Sequence, residues 1–280
     1  MPKTTDGTTY FLRGPENRPV VTLIHGLGMN HQMWRYFQST LAGQCQVLSY
    51  DILGHGASSR PNEPLSLRLL SDQLRRLLDH LGIAHSVIVG FSLGGMINRL
   101  FAMDHPEKTS ALVILNSPHE RSIEAQQLVE ERARTSTSGG PAATIEASME
   151  RWFTSTFLAS NNPFLNEVRT WILGNDPKTF AEARQVLASG VTELIRPLRP
   201  IEAPALVITC ENDSGSNPEM AHAISREIAE SRAVIIPSLK HMGLSEQPEL
   251  FVSEILDFSG LLNYSQLSPI SSKNLRNTSL

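Results

Sequence analysis

Short apolar runs recur along the chain: VVTLIH (20–25), QVLSYD (46–51), SVIVGF (86–91), ALVILN (111–116), ALVITC (205–210) and AVIIPS (233–238). Each is rich in β-branched side chains and nearly continuous, without apolar–polar alternation. Strands of a parallel sheet read this way, because helices cover both faces. A first strand near Tyr10 to Leu12 is expected at the sheet edge. The intervals change period. Leu67, Leu70, Leu74, Leu77, Leu78 and Leu81 fall on one face of a helix that Gly82 is placed to stop. Pro218, after the capping residue Asn217, opens a second helix, and Phe251, Ile255, Phe258 and Leu262 make the stripe of a third. Strands alternating with helices imply right-handed crossovers and an α/β fold with a doubly wound, mainly parallel sheet flanked by helices.

One region breaks this rhythm. From His119 to Gly190 there is no strand run. The polar stretch ARTSTSGGPAAT (133–144) reads as a hinge or exposed loop. Met149, Trp152, Phe153 and Phe157 then fall on one helical apolar face, and Trp171, Ile172 and Phe180 continue the apolar content. The expected organisation is a core of residues 1–118 and 191–262 carrying an inserted helical cap, 119–190. The final stretch, 263–280, is rich in Ser and Asn without apolar periodicity and reads as a flexible tail.

Composition narrows the picture. Apolar residues make up 40% of the 280, enough for a large buried core. Lys plus Arg is 24 and Asp plus Glu is 28, so the formal charge is −4. That balance points to no nucleic-acid partner and no anionic membrane surface. Cys45 and Cys210 lie far apart in or beside apolar runs, as buried thiols do, and they are too few for a disulfide framework or a zinc site. The opening MPKTTDGTTYF lacks the apolar core of a signal peptide, and no apolar run approaches the ~20 residues of a membrane span. A soluble cytoplasmic protein is the expectation.

The candidate chemistry sits in Gly90-Phe91-Ser92-Leu93-Gly94, where a strand becomes a helix. This is G-x-S-x-G in the context that gives it meaning. So sharp a turn forces the central residue into a strained backbone and demands small flanking residues, which Gly90, Gly94 and Gly95 supply. It presents the Ser92 hydroxyl at the C-terminal edge of the sheet, where open α/β folds bind ligands, and at a helix N-terminus that favours negative charge. A serine alcohol is a weak nucleophile and needs a base, which in turn needs an orienting acid. In chain order after Ser92, Asp213 follows the strand ALVITC and His241 follows the last strand, AVIIPS. Both lie at C-terminal strand ends, on the same edge as Ser92. Glu211 is the rival acid, and His119 is a weaker rival base because its chain order is wrong. Acyl chemistry also requires two donors aimed at the developing oxyanion. The backbone N–H of Leu93 is one candidate. The N–H of Leu27, in the glycine-bearing loop HGLG (25–28), is the other. His25 and His55 read as residues bracing their loops.

Together HGLG, YDILGHGASS, VGFSLGG, END and KH resemble the α/β-hydrolase superfamily. That resemblance covers the chain to about Leu262. It implies a mainly parallel eight-stranded sheet, with the helical cap between strands six and seven. Within the superfamily the chain looks most like the 3-oxoadipate enol-lactonases, through FSLGG with YDILGHGASS, the cap sequence MERWFTSTF, and the His followed at the same spacing by Glu-Gln-Pro in HMGLSEQPELF. The implied chemistry is hydrolysis of an enol-lactone or related ester, a small molecule, without cofactor or metal. Trp152 would line the pocket from the cap, or serve as ordinary packing of the cap's own core. Two stretches depart from that pattern: Met-Gly-Leu-Ser between His241 and Glu246, and FAEARQVLAS, which carries Arg184 where small residues or cysteines are expected. The cap arginines Arg134, Arg151 and Arg184 are candidates to bind a substrate carboxylate, or are solvated helix residues. Other readings on the same fold are a carbon–carbon hydrolase, disfavoured by Met242 where Trp commonly follows the His, a perhydrolase, and a non-catalytic receptor for a small ligand.

Overall fold

The computed structural model describes residues 1–261, with side chains to 258; the tail expected over 263–280 lies outside the described residues. The strands are β1 (Tyr10–Arg13), β2 (Val20–Ile24), β3 (Gln46–Tyr50), β4 (Ser86–Phe91), β5 (Thr109–Leu115), β6 (Ala205–Cys210) and β7 (Ser231–Ile236). They form one sheet in the order β1-β3-β2-β4-β5-β6-β7, with β1 antiparallel to β3 and every other pair parallel. The apolar runs thus become strands within two residues of their expected ends, and β4 and β6 are buried along their whole length. Among the described residues the sheet has seven strands where eight were expected. Among the described residues the remaining pairing is a single antiparallel bridge, Lys3 with Thr9. The chain reverses there in a tight turn through Gly7, closed by Thr4 and Asp6, and pairs only through that bridge.

Helices cover the sheet as their periodicity requires. Ser66 caps the helix Leu67–His80 by accepting the Leu69 N–H, and Leu67, Leu70, Leu74, Leu77 and Leu78 are buried beneath it. Gly82 ends the turn at φ 66°, with the Ile83 N–H reaching back to the Leu78 carbonyl. Asn217 caps the helix Pro218–Arg226 through the Met220 N–H. Phe251, Ile255 and Phe258 of the helix Pro248–Leu261 face the core. Cys210 is buried and Cys45 half-buried, both as free thiols.

Between β5 and β6 lie five helices: Ile123–Gly139, Ile145–Trp152, Ser155–Ala159, Pro163–Leu173 and Pro177–Ser189. Two expectations for this insertion need correcting. The stretch read as a hinge is mostly helix, continuing to Gly139. Its hydroxyls turn inward on the helix: Thr135, Ser136 and Thr137 donate to the carbonyls of Glu131, Arg132 and Ala133. Ala133 and Ser136 are buried, and the helix packs against Pro177–Ser189. The single face expected to run from Met149 to Phe157 is instead broken. Phe153 is extended, and Thr154 starts a new helix by accepting the Phe157 N–H. Glu246, at the end of the short helix Gly243–Glu246 after β7, takes both the Thr154 N–H (2.8 Å) and its hydroxyl (2.6 Å), so a contact distant in sequence sets the break. No helix among the described residues is long and apolar enough to cross a membrane.

Candidate active site

The turn from β4 into the helix Leu93–Asp104 holds Ser92 at φ 55°, ψ −112°. Such a conformation costs about 1–3 kcal/mol in a non-glycine residue and persists only where its surroundings enforce it. They do so here by close approach. A Cβ at Gly90 would overlap the Gly94 carbonyl, and one at Gly94 would overlap the carbonyl of Ile24 on β2. The Ser92 N–H donates to the Leu115 carbonyl at 2.9 Å, and the Ser117 hydroxyl donates to the Ser92 carbonyl at 3.0 Å. Arg99, fully buried about two helical turns on, grips the Gly95 carbonyl at 3.0 Å and the Pro118 carbonyl at 2.6 Å, so the elbow and the loop after β5 are tied together.

Asp213 and His241 come to this serine from the loops after β6 and β7. His241 Nε2 lies 3.2 Å from Ser92 Oγ, and its Nδ1 lies 2.6 Å from Asp213 Oδ2. With Nδ1–H donating to the carboxylate, Nε2 is free to accept from the serine hydroxyl. All three are buried, His241 the least so at 9% exposure. Asp213 is held on four sides. Its Oδ1 accepts the N–H groups of Gly215 and Ser216 at 2.9 and 3.0 Å, and its Oδ2 accepts Asn116 Nδ2 at 2.9 Å besides His241. The rivals sit elsewhere. Glu211 accepts the Ser238 N–H at 2.8 Å and steadies the loop before His241, while His119 pairs with Glu227 at 3.2 Å and lines a different cleft.

A cavity opens over Ser92, with about 720 Å³ of atom-free space including its mouth. Leu27 lines it from the loop after β2. That loop is braced by His25, whose Nδ1–H donates to the Gly26 carbonyl at 2.8 Å and whose Nε2 accepts the Ile52 N–H at 3.0 Å. Burial lowers His25 from 6.5 to about 4, so the ring is neutral and suited to that double role. His55, also buried, is lowered to about 3 by burial and then by His25, and its Nδ1 faces the Leu53 carbonyl. Leu93 is the first residue of its helix, where N–H groups have no intrahelical acceptor. Trp152 lines the cavity from the insertion, its ring 6.2 Å from that of His241 and its carbonyl accepting the Met242 N–H at 2.9 Å.

Of the three cap arginines expected near the substrate, Arg151 and Arg184 line the cavity and Arg134 is exposed outside it; Arg121 and Arg132 join the lining unforeseen. Asn116 was also missed. It takes φ 47° at the end of β5, and an Asn directly after an apolar run, a residue type tolerant of that conformation, is the signal that would have marked it. No group of three or more His, Cys, Asp or Glu residues suited to a metal ion occurs among the described residues.

Comparison with known proteins agrees with this architecture. A family model described as the alpha/beta hydrolase fold matches residues 19–135. The 3-oxoadipate enol-lactonase 2 of Acinetobacter baylyi is 26% identical over 243 residues, spanning 86% of this chain and 89% of that protein. The (E)-2-((N-methylformamido)methylene)succinate hydrolase of the same organism is 25% identical over 242 residues, spanning 86% and 90%. The crystal structure of a hydrolase from Pseudomonas aeruginosa PA01 matches with a TM-score of 0.83 at 27% identity, covering 92% of this chain and 96% of that one.

Proposed function

We propose that this chain, which has the α/β-hydrolase fold, is a serine hydrolase of carboxylic esters or lactones, with Ser92 as nucleophile, His241 as base and Asp213 as the orienting acid. The observation that carries this reading is the continuous hydrogen-bonded line from Asp213 Oδ2 through the His241 ring to Ser92 Oγ. Ser92 Oγ attacks the carbonyl carbon as His241 Nε2 takes the hydroxyl proton. The new imidazolium is stabilised by Asp213, whose other oxygen stays anchored on two backbone N–H groups. The tetrahedral oxyanion is received by the Leu27 and Leu93 N–H groups, each worth roughly 2.7–4 kcal/mol of barrier. Collapse expels the alkoxide or enolate, which takes the proton from His241. In a lactone this leaving group remains tethered to the acyl chain. Water, activated by the same ring, then releases the acid. Trp152 closes the far side of the substrate and shields the imidazole from bulk water.

The enol-lactonase among the relatives makes an enol-lactone the first compound to try. A panel of lactones, an enol-lactone and aryl esters, followed by acid release, tests the reading. Turnover of at least one class is expected, with Ser92→Ala reducing it by about 10⁶-fold. Retention of a tenth of the activity by Ser92→Ala, or no turnover across the panel, overturns it.

A further inference from the structure

Four arginines, Arg121, Arg132, Arg151 and Arg184, line the cavity above Ser92, against one carboxylate, Asp213. They come from different parts of the insertion: the segment before the helix Ile123–Gly139, that helix itself, the helix Ile145–Trp152 and the helix Pro177–Ser189. Elsewhere many arginines of this chain find acids, as in Arg35 with Glu167, Arg76 with Asp6, Arg169 with Glu146 and Arg196 with Glu120, while the buried Arg99 is tied to carbonyls. Among the described residues none of the four cavity arginines has a carboxylate within ion-pair distance, and Asp213 is already committed to His241, Asn116 and two backbone N–H groups.

These guanidiniums are positioned without being neutralised. Arg121 is positioned by three of its five donors, given to the carbonyls of Leu187 and Ala188 and to Gln126. Arg151 stacks over Trp152, its carbon Cζ 5.8 Å from the ring centre, and reaches Ser148 only at 3.4 Å. Arg184 lies over Phe180 at 5.1 Å and donates to Thr144 Oγ1 at 3.3 Å. It is only 5% exposed, and its Nε is buried without a partner. Burial, and then repulsion from Arg151 and Arg132, pushes Arg184 down to about 10, and burial and Arg132 do the same to Arg151. A protein that keeps several cations desolvated and close together is short of negative charge at that place, and a bound anion relieves both costs.

We propose that the cavity binds a dianionic substrate, an ester or lactone that also carries two carboxylates, with the Arg121–Arg132–Arg151–Arg184 cluster holding both. This inference rests on the reading of Ser92 as nucleophile for the reacting end and on the arginine cluster for the charge. Guanidiniums from four separate points suit two carboxylates spaced along a short chain better than one compact anion, and their planar forks match carboxylate geometry.

Isothermal titration of the wild-type protein with succinate, glutarate and adipate, each as diacid, half-amide and diamide, tests it, with inorganic phosphate as a further arm. At least one diacid should bind tenfold or more tightly than its half-amide, and the half-amide more tightly than the diamide. The double substitution Arg151→Met, Arg184→Met should weaken that diacid at least tenfold, while Arg134→Met, on the exposed side of the same helix as Arg132, leaves it unchanged. Equal binding along each charge series, tighter binding of phosphate than of every diacid, or undiminished diacid affinity in the folded double variant overturns the proposal. The wild-type series stands even if the variant does not fold. Labelling of Ser92 by an alkyl fluorophosphonate in the same preparation separates the two readings: charge-ranked binding without labelling supports the anion site and removes the nucleophile assignment.

Discussion

Asp213, on the floor of the cavity, accepts four hydrogen bonds, whereas Arg184, on its roof, makes one long one. The floor is assembled from loops that leave the C-terminal ends of parallel strands, and its functional atoms are locked before any ligand arrives. The roof is assembled from helices of the insertion, and its charges are placed but left without counter-ions. A preorganised floor suits the step in which charge develops quickly on a carbonyl oxygen. An unsatisfied roof suits recognition, because its interactions are completed only by the ligand. On the proposed reading, reaction belongs to the core and selection to the insertion.

Substitutions on the floor should therefore act on kcat, and the largest effect after loss of the nucleophile belongs to the acid. Asp213→Asn should lower kcat by about 10⁴-fold through loss of the imidazole tautomer, while Glu211→Gln stays within a few-fold of wild type. Steady-state kinetics on one ester would show it, and the reverse ranking would make Glu211 the acid.

Acid stability separates floor from roof thermodynamically. His25 and His55 are held neutral by burial, at about 4 and about 3 when folded, against about 6.5 in the unfolded chain. Below pH 6.5 the unfolded state binds protons that the folded state refuses, so stability is complete above that pH and falls steadily towards pH 4. His25 alone accounts for a loss on the order of 3 kcal/mol across that range. The cavity arginines stay charged throughout and contribute no slope there. Urea titrations from pH 7.5 to 4.5 measure it, and a flat profile would mean that the loop carrying Leu27 is not braced by a neutral ring.

A smaller effect is expected one residue further from the chemistry. Asn116→Ala removes a hydrogen bond to the Asp213 carboxylate, worth about 1.5–3 kcal/mol, and should lower kcat by roughly tenfold or more. KM should hardly move, since Asn116 is not among the residues lining the cavity. A change confined to KM would shift its role from positioning to binding.

The floor was far more legible in the sequence than the roof. Strand, turn and helix signals are local, and the chain order Ser92, Asp213, His241 needs only the ends of β4, β6 and β7 to fall on one edge. The eighth strand failed because the N-terminal reversal at Gly7 leaves a single bridge. On the roof, Arg132 and Arg134 are two residues apart on one helix, about 200° around its axis. One faces the cavity and the other faces solvent, and neither periodicity nor residue type distinguishes them in a helix whose polar residues outnumber its apolar ones. The helix through 133–139 was hidden for the same reason: Ser and Thr there disfavour helix by propensity, and packing against Pro177–Ser189 overrides it.

We propose that His241, oriented by Asp213, makes the Ser92 oxygen the activated alcohol of the cavity. Intact-protein and peptide mass spectrometry after exposure to an alkyl fluorophosphonate tests it most directly. The account predicts one adduct per chain, on Ser92, formed at least a hundredfold more slowly in His241→Ala. An adduct on another residue, or unchanged labelling of Ser92 without the imidazole, would contradict it.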